Sequence, residues 1–231
     1  MNILHNEKGG VMEGLLKITF NIHLESKKND VLKLLGIVFM IIDHIGEIFF
    51  PDVIIFRIFG RLSYPIFAYG IAIGYQYTKN FKSYLLRLSL FFIVSQPFFT
   101  LVFQKGINIF ATLLIGLIAI YFYDKKQYPS IVLLFIIAQF LALDYGLYGL
   151  GLILTFYIFK DNLTGLVLSQ IAINIVFAMH YHTLLQAYSL IALIFIYKNE
   201  WFINIHLNKY IGYMFYPIHL GLIALTTYWL F

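Results

Sequence analysis

Cysteine is absent from the chain. That excludes a disulfide framework, a thiolate nucleophile and thiolate metal sites. Charge is scarce as well. Asp, Glu, Lys and Arg together make up 12% of the residues, about half the share of a soluble domain. The polar surface left over cannot coat a globule in water, because 61% of the chain is hydrophobic and 19% aromatic. The class is therefore an all-α, polytopic integral membrane protein. The net charge of +5 matters through where the cations fall. No nucleic-acid partner is expected.

Long apolar runs are missing from the first 30 residues. They hold no apolar core next to a small-residue cleavage site, so they do not read as a signal peptide. Residues 16–25, "LKITFNIHLE", alternate apolar and polar at period two. The ordinary reading of 1–30 is a polar N-terminal arm, loosely ordered or interfacial. "KGGVM" at 8–12 can be encoded as a ribosome-binding sequence just ahead of a Met codon. On that ground Met12 is the expected native start and 1–11 a leader of the gene.

What is there begins at residue 31. A bilayer core of ~30 Å needs ~20 apolar helical residues. The chain breaks into runs at 31–50, 58–77, 83–103, 107–123, 130–143, 146–159, 163–179, 183–198 and 210–230, about nine spans. Several are short enough to be tilted, re-entrant or half-helices. Cations orient them. With the N-terminus inside, Lys8, Lys17, Lys27, Lys28, Lys33, Lys79, Lys82, Arg87, Lys125, Lys126, Lys160, Lys198 and Lys209 lie on the inner side. Only Arg57, Arg61 and Lys105 lie on the outer side. No linker or composition shift divides residues 31–231, and no internal repeat is visible. The expected location is the cytoplasmic membrane, multi-pass, with lipid as the surrounding partner.

Polar groups gather at one level. "MIIDHIGEIFF" at 40–50 puts Asp43, His44 and Glu47 on one helix. His44 lies about 20 Å from the inner end of its span at 1.5 Å per residue. Ionisable groups in lipid mark function by default. Glu47 can neighbour His44, and Asp43 and Glu47 share a face. Lys33 precedes His44 by eleven residues, close to three turns, with Gly36 and Met40 between; Gly36 is expected to leave room for something to pass. "FRIFGRLSYPIFAYG" at 56–70 brings Arg57 and Arg61 to the outer side, "LDYGLYG" brings Asp144, and "MHYHT" brings His180 and His182. Pro65, Pro97 and Pro217 each free a carbonyl within a span, and His219 follows Pro217 by two. The ordinary readings stand beside these: a structural Asp43–Arg61 ion pair, an interhelical hydrogen bond from His44, loop histidines at 180 and 182, and packing or lipid anchoring for the aromatics. No third ligand fixes the His-x-His pair as a metal site, so no metal is expected.

The stretches "LKLLGIVFMIIDHIGEIFFP" at 32–51 and "RIFGRLSYPIFAYGIAIGY" at 57–75 resemble the TraX family of bacterial membrane proteins. "KSYLLRLSLFFIVSQPFF", "NIFATLLIGL", "DYGLYG" and "YPIHL" follow in the same order. The specific parts are the Asp-His of the first run and the Gly-Arg-x-x-x-Pro of the second. The resemblance implies a link to acetylation of a conjugative pilin. It also implies a similarity to wider transmembrane acyltransferases, which carry acetyl from cytoplasmic acetyl-CoA to acceptors across the membrane. In polysaccharide O-acetyltransferases of that kind a basic residue precedes a catalytic His by eleven positions. Lys33 and His44 match the spacing, with Lys in place of the usual Arg.

On this reading His44 is the base, Glu47 orients it, Asp43 pairs with Arg61, and Arg61 or a freed backbone group meets the oxyanion. Lys33, Lys79, Lys82 and Arg87 hold the coenzyme A diphosphate, and the pantetheine arm runs up the Lys33–His44 stripe. The acceptor, a peptide or glycan at the outer side, is left open. A small-molecule transporter and a non-enzymatic membrane assembly protein are the alternatives. Both would also hold buried charges, but neither requires coenzyme A. The cation placement makes one prediction at once. Reporter fusions after Lys126 and after Phe231 should report opposite sides of the membrane; both on one side would sink the nine-span topology.

Overall fold

The computed structural model describes residues 30–104, 106–197, 207–208 and 210–230. The N-terminal arm, the alternating stretch at 16–25 and the Met12 start lie outside the described residues, as do Lys105, Lys198 and Lys209. Every apolar run read from the sequence carries helix. The helices are α1 (30–49), α2 (Ile54–Gly60), α3 (Ser63–Tyr77), α4 (Phe81–Phe103), α5 (Ile109–Asp124), α6 (Tyr128–Phe140), α7 (Gly146–Ile158) and α8 (Leu163–Tyr181). A 3₁₀ helix (Leu185–Ile191) then runs into α9 (Ala192–Tyr197), and α10 (Ile211–Leu230) closes the chain. Three stretches, Ile54–Tyr77, Phe81–Phe103 and Leu163–Tyr181, are long and apolar enough to cross a bilayer by length and composition.

Local chemistry sets several helix starts. The side chains of Asn80, Asn108 and Asn162 accept from the backbone N–H groups of Ser83, Phe110 and Gly165 at 3.0, 3.0 and 2.9 Å. Each satisfies a donor that the first turn leaves without a helical partner. The second run breaks at residues 61–62. Pro65 has no N–H for the Arg61 carbonyl, and Leu62 N bonds back to Phe59 O at 3.1 Å. The break aims Arg57 and Arg61 sideways from two short segments instead of along one rod.

The centre is α3, α5 and α7, which pack pairwise on one another. Leu117, Ile120, Leu152 and Ile153 are fully buried there. On one flank α4 packs on α5 and α10 on α4; on the other, α8 packs on α7 and the 3₁₀ helix on α8. Polarity is inverted relative to a soluble protein. Ser95, Asn108, Thr112, Gln170 and Asn174 are buried, while Leu86, Ile93, Leu101, Val176 and Trp229 are exposed. An apolar outside around polar groups is the arrangement a lipid solvent favours.

Two turns at one end are tied together. Ile107 N donates to Ala142 O at 2.8 Å and Asp144 N to Ile107 O at 2.9 Å. The Thr112 hydroxyl donates to the Asp144 carbonyl. The α4–α5 and α6–α7 connections thus form one rim.

α1 is set against its neighbours at three glycines. At Gly36 the Ser63 hydroxyl donates to the carbonyl at 2.9 Å, and Ile66 and Phe67 lie over the glycine. The open passage expected there is therefore filled by α3. At Gly46 the Phe56 side chain takes the place of a Cβ. Gly60 of α2 does the same service for α1: a Cβ there would overlap the Asp43 carboxyl group. Gly60→Ala should therefore lower stability by the ~1–3 kcal/mol typical of overpacking. The exposed Gly70, with nothing within 4 Å of a Cβ, supplies the control. Thermal melting in one detergent should show a loss for Gly60→Ala and none for Gly70→Ala; equal melting refutes the close approach.

Candidate functional site

A cavity of about 1030 Å³ opens where α1, α4, α6 and α8 end and where α2, α3, α5 and α7 begin. Asp43, His44 and Glu47 of α1 line it, together with Arg57, Arg61, Tyr64, Phe103, Asp144, Tyr145, His180, Gln186 and Tyr216. The structure thus brings together all four side chains that the sequence singled out for chemistry, His44, Asp43, Glu47 and Arg61.

Asp43 is the electrostatic centre. Arg57 Nη1 lies 2.8 Å from Asp43 Oδ1. Arg61 Nη2 donates to Oδ1 at 3.2 Å and to Oδ2 at 3.3 Å. The other Arg61 amino group donates to Gln186 Oε1 at 3.3 Å, and its guanidinium stands 6.0 Å from the Tyr145 ring centre. Removing one partner of a buried pair leaves an uncompensated charge, so this cluster joins α1, α2, the 3₁₀ helix and the rim.

Glu47 sits differently from the expectation. Its Oε2 accepts from Arg57 Nη1 at 2.6 Å. Arg57 outcompetes His44 because a charge-assisted bond is the stronger one. The partner of His44 comes from the far end of the chain. His44 Nδ1 and His219 Nε2 are 2.8 Å apart, with the rings nearly parallel at 12°. His219 Nδ1 is 3.0 Å from the Phe215 carbonyl.

That carbonyl fixes both tautomers. It can only accept, so His219 Nδ1 carries the hydrogen and donates. His219 Nε2 is then the lone pair that accepts from His44 Nδ1–H. His44 Nε2 is left without a proton and without a protein partner among the described residues. His44 lines the cavity, whereas His219 stands behind it. An imidazole nitrogen left in this state can accept a proton. Phe103 packs edge-on against the His44 ring at 5.2 Å, and Phe215 stacks on His219 at 5.1 Å.

Asp144 faces the same cavity from the rim, between α6 and α7. It keeps some surface on the cavity, yet burial pushes its carboxyl up to about 7 against the opposing pull of Arg61. Tyr145 beside it adopts a left-handed backbone (φ 62°) and stacks on Tyr64 with ring centres 4.0 Å apart. His180 lines the cavity and His182 does not. Among the described residues no group of three or more His, Asp or Glu side chains could hold a metal.

The expected coenzyme A cations lie elsewhere. Lys33 Nζ pairs with Asp30 Oδ1 at 3.0 Å. Lys79 and Lys82 are exposed at the start of α4, and the Arg87 guanidinium stands 5.6 Å from the Tyr84 ring centre. None of the four lines the cavity. Sequence reasoning did not assign a role to Arg57, His219 or Gln186. The "YPIHL" motif was a visible signal for His219, but its partner is 175 residues away.

Comparison with known proteins follows the same residues. The family described as TraX protein matches residues 28–227. A curated but uncharacterised protein of Rickettsia prowazekii (strain Madrid E) is 26% identical over 148 residues, covering 59% of this chain and 58% of its own length. A probable fimbrial assembly protein of Dichelobacter nodosus, FimC of serogroup H1, is 27% identical over 137 residues, covering 51% of this chain and 56% of its own. The chain thus spans little more than half the length of these curated relatives. No solved structure matches it. The family match takes in α1 through almost all of α10, including both histidines and both arginines of the cavity, and the chain belongs to the TraX family.

Proposed function

We propose that the chain transfers an acetyl group from acetyl-CoA to an amine or hydroxyl acceptor at or across the membrane, with His44 as the base. The observation that carries this is His44 on the cavity wall, its Nδ1 hydrogen-bonded to His219 and its Nε2 without a partner among the described residues. The acceptor nitrogen or oxygen attacks the thioester carbonyl carbon and His44 Nε2 takes its proton. The C–S bond breaks, its electron pair leaves with the coenzyme A sulfur, and the proton passes from His44 to that thiolate. Arg61 supplies N–H donors beside the developing oxyanion, while Asp43 and Glu47 balance the charge of the two arginines. Glu47 serves in this scheme as a counter-ion for Arg57.

The phosphates of coenzyme A would sit on Lys79, Lys82 and Arg87, with Lys33 close to the start of α1. Lys33 and His44 are about 16 Å apart along α1 at 1.5 Å per residue, a span suited to a pantetheine arm. Because Ile66 and Phe67 cover Gly36, delivery of the thioester along this stripe requires those two side chains to yield. The N-terminus of a pilin-like peptide is the acceptor favoured by family membership and by the fimbrial assembly relative. That relative's name equally suits an assembly protein without chemistry, and acetyl-CoA binding separates the two readings. A protein that binds no acetyl-CoA and moves no acetyl ends the enzyme reading.

Two expected outcomes follow from the dyad and the cations. His44→Ala should cost ~10²–10⁴-fold in acetyl transfer, the usual worth of a general base, while insertion and acetyl-CoA affinity stay near wild type. His219→Ala should cost a part of that factor, and His219→Gln, which keeps an acceptor for His44 Nδ1–H, should recover some of it. A His44→Ala protein within about threefold of wild type, far short of the general-base factor, refutes the assignment. Neutralising Lys79, Lys82 and Arg87 together should raise the acetyl-CoA concentration needed for half-maximal rate more than it lowers the saturated rate. An unchanged requirement, in correctly inserted protein, makes them topology determinants only.

A further inference from the structure

Histidines apart, the described residues lining the cavity carry three carboxyl groups, on Asp43, Glu47 and Asp144, against two guanidinium groups, on Arg57 and Arg61. The ion pairs there join Arg57 to Asp43 and Glu47, and Arg61 to Asp43. Asp144 has no ion pair among the described residues. Arg61 acts on it through space, but its fork is spent elsewhere. Nη2 donates to Asp43, Nη1 to Gln186 and Nε to the Arg57 carbonyl. The cavity is therefore one cation short whenever Asp144 is ionised.

The Asp144 carboxyl group is open to the cavity. Neither of its oxygens is a sealed, partnerless atom like the Tyr64 and Tyr216 hydroxyls, and the residue is half-buried on the cavity wall. The backbone N–H of Tyr145 faces the group from behind. Across the cavity it is within electrostatic reach of Asp43, Glu47 and Arg61, and of Tyr216, whose ring packs edge-on against His44. The rim holds this residue by its main chain alone. Its N–H donates to the Ile107 carbonyl at 2.9 Å and its carbonyl accepts from Thr112. The side chain plays no part in those bonds. A carboxylate in a water-poor place takes up either a proton or a cation. Burial already moves Asp144 toward the proton, up to about 7. A ligand with a single positive charge offers the other course and balances the cavity.

We propose that Asp144 receives the ammonium group of the acceptor and so makes the site select an amine over a hydroxyl. The assignment rests on the acetyl-transfer reading above. An ammonium nitrogen has no lone pair for attack, and the carboxylate meets that need too. One N–H bond breaks, its electron pair stays on nitrogen, and the proton goes to an Asp144 oxygen. The neutral amine is no longer held by charge and moves to the thioester carbon beside His44. His44 Nε2 takes the second proton and returns it to the departing thiolate, as described above. Asp144 then gives its proton to water at the cavity mouth. One ammonium and one thioester yield one amide, one thiol and one proton. A hydroxyl acceptor brings no charge, so it gains only a hydrogen bond from the same carboxyl group.

The test uses the full-length protein in one detergent preparation with acetyl-CoA and two short peptides. They are identical except that one begins with an amino group and the other with a hydroxyl in its place. The ratio of kcat/KM for the two acceptors is measured in wild type, Asp144→Asn and Asp144→Glu, so their intrinsic reactivities cancel between proteins. Expected for Asp144→Asn is a fall in the amine-to-hydroxyl ratio of about 10–100-fold, the worth of a hydrogen bond to a charged group. Asp144→Glu, which keeps the charge, should recover part of it. The half-saturating acetyl-CoA concentration should stay within about threefold, since that small a change marks intact ground-state binding. A second measurement needs no variant. A peptide with a dimethylated amino terminus keeps the charge and one N–H but forms no stable amide. It should compete with the amine acceptor in wild type about tenfold better than the N-acetylated peptide, the low end of that same worth. An unchanged ratio in Asp144→Asn, or equal competition by the two blocked peptides, overturns the role of Asp144 and leaves the transferase standing. A wild-type protein that acetylates neither acceptor overturns the transferase, and the role of Asp144 with it.

Discussion

A carboxylate in the middle of an apolar helix bundle cannot stand alone, and Asp43 is that carboxylate. Placed unpaired in the centre of a membrane helix it would cost ~2.5–3.5 kcal/mol on insertion scales. Two guanidinium groups remove that cost, and each comes with a condition on the fold. Arg57 and Arg61 reach the same carboxyl because α2 and α3 are separate segments with a turn between them. The turn exists because Pro65 denies the Arg61 carbonyl its helical partner. Gly60 then allows α2 to lie directly on Asp43. Proline, glycine and two arginines in nine residues are one solution to one electrostatic demand.

The cavity is a by-product of that arrangement that chemistry can use. The cluster holds the end of α1 against α2 and the 3₁₀ helix, and it turns the next residue, His44, away from the ion pairs. Adjacent residues on a helix are separated by 100°, so Asp43 and His44 face different neighbours. One faces arginines and the other faces α10. The chain therefore keeps a fixed ion cluster and a histidine bonded to another histidine one residue apart, without the arginines engaging that ring.

Much of this was legible in the sequence, and the rest was hidden for identifiable reasons. Each apolar run became helix because a helix pairs its own backbone N–H and C=O groups, which so apolar a run has few side chains to satisfy. The Asp43–Arg61 pairing was legible because a span cannot carry a lone charge and the nearest cations on the same level are few. Glu47 was misjudged because three-residue spacing on a helix says which side chains can meet and nothing about a stronger competitor arriving from α2. Gly36 looked like a gap because a missing side chain marks close approach equally well when the visitor is another helix. His219 was visible as a polar residue near a kink. Its pairing with His44 spans 175 positions, and no local spacing rule reaches that far.

The hydrogen bond from His219 to the Phe215 carbonyl does more than orient a ring. A proton captured at His44 Nε2 makes Nδ1–H more acidic, so charge can drift one step inward to His219. It can go no further. The next atom is a carbonyl oxygen on a helix, which accepts a hydrogen bond but does not carry a proton away. The pair is therefore a cul-de-sac with a single door, and that door opens on the cavity. A proton that enters there can leave only by the way it came. The proposed base would need no contact with bulk water between one half of the proposed transfer and the other, and a bundle wrapped in exposed Leu, Ile and Val side chains has little to offer.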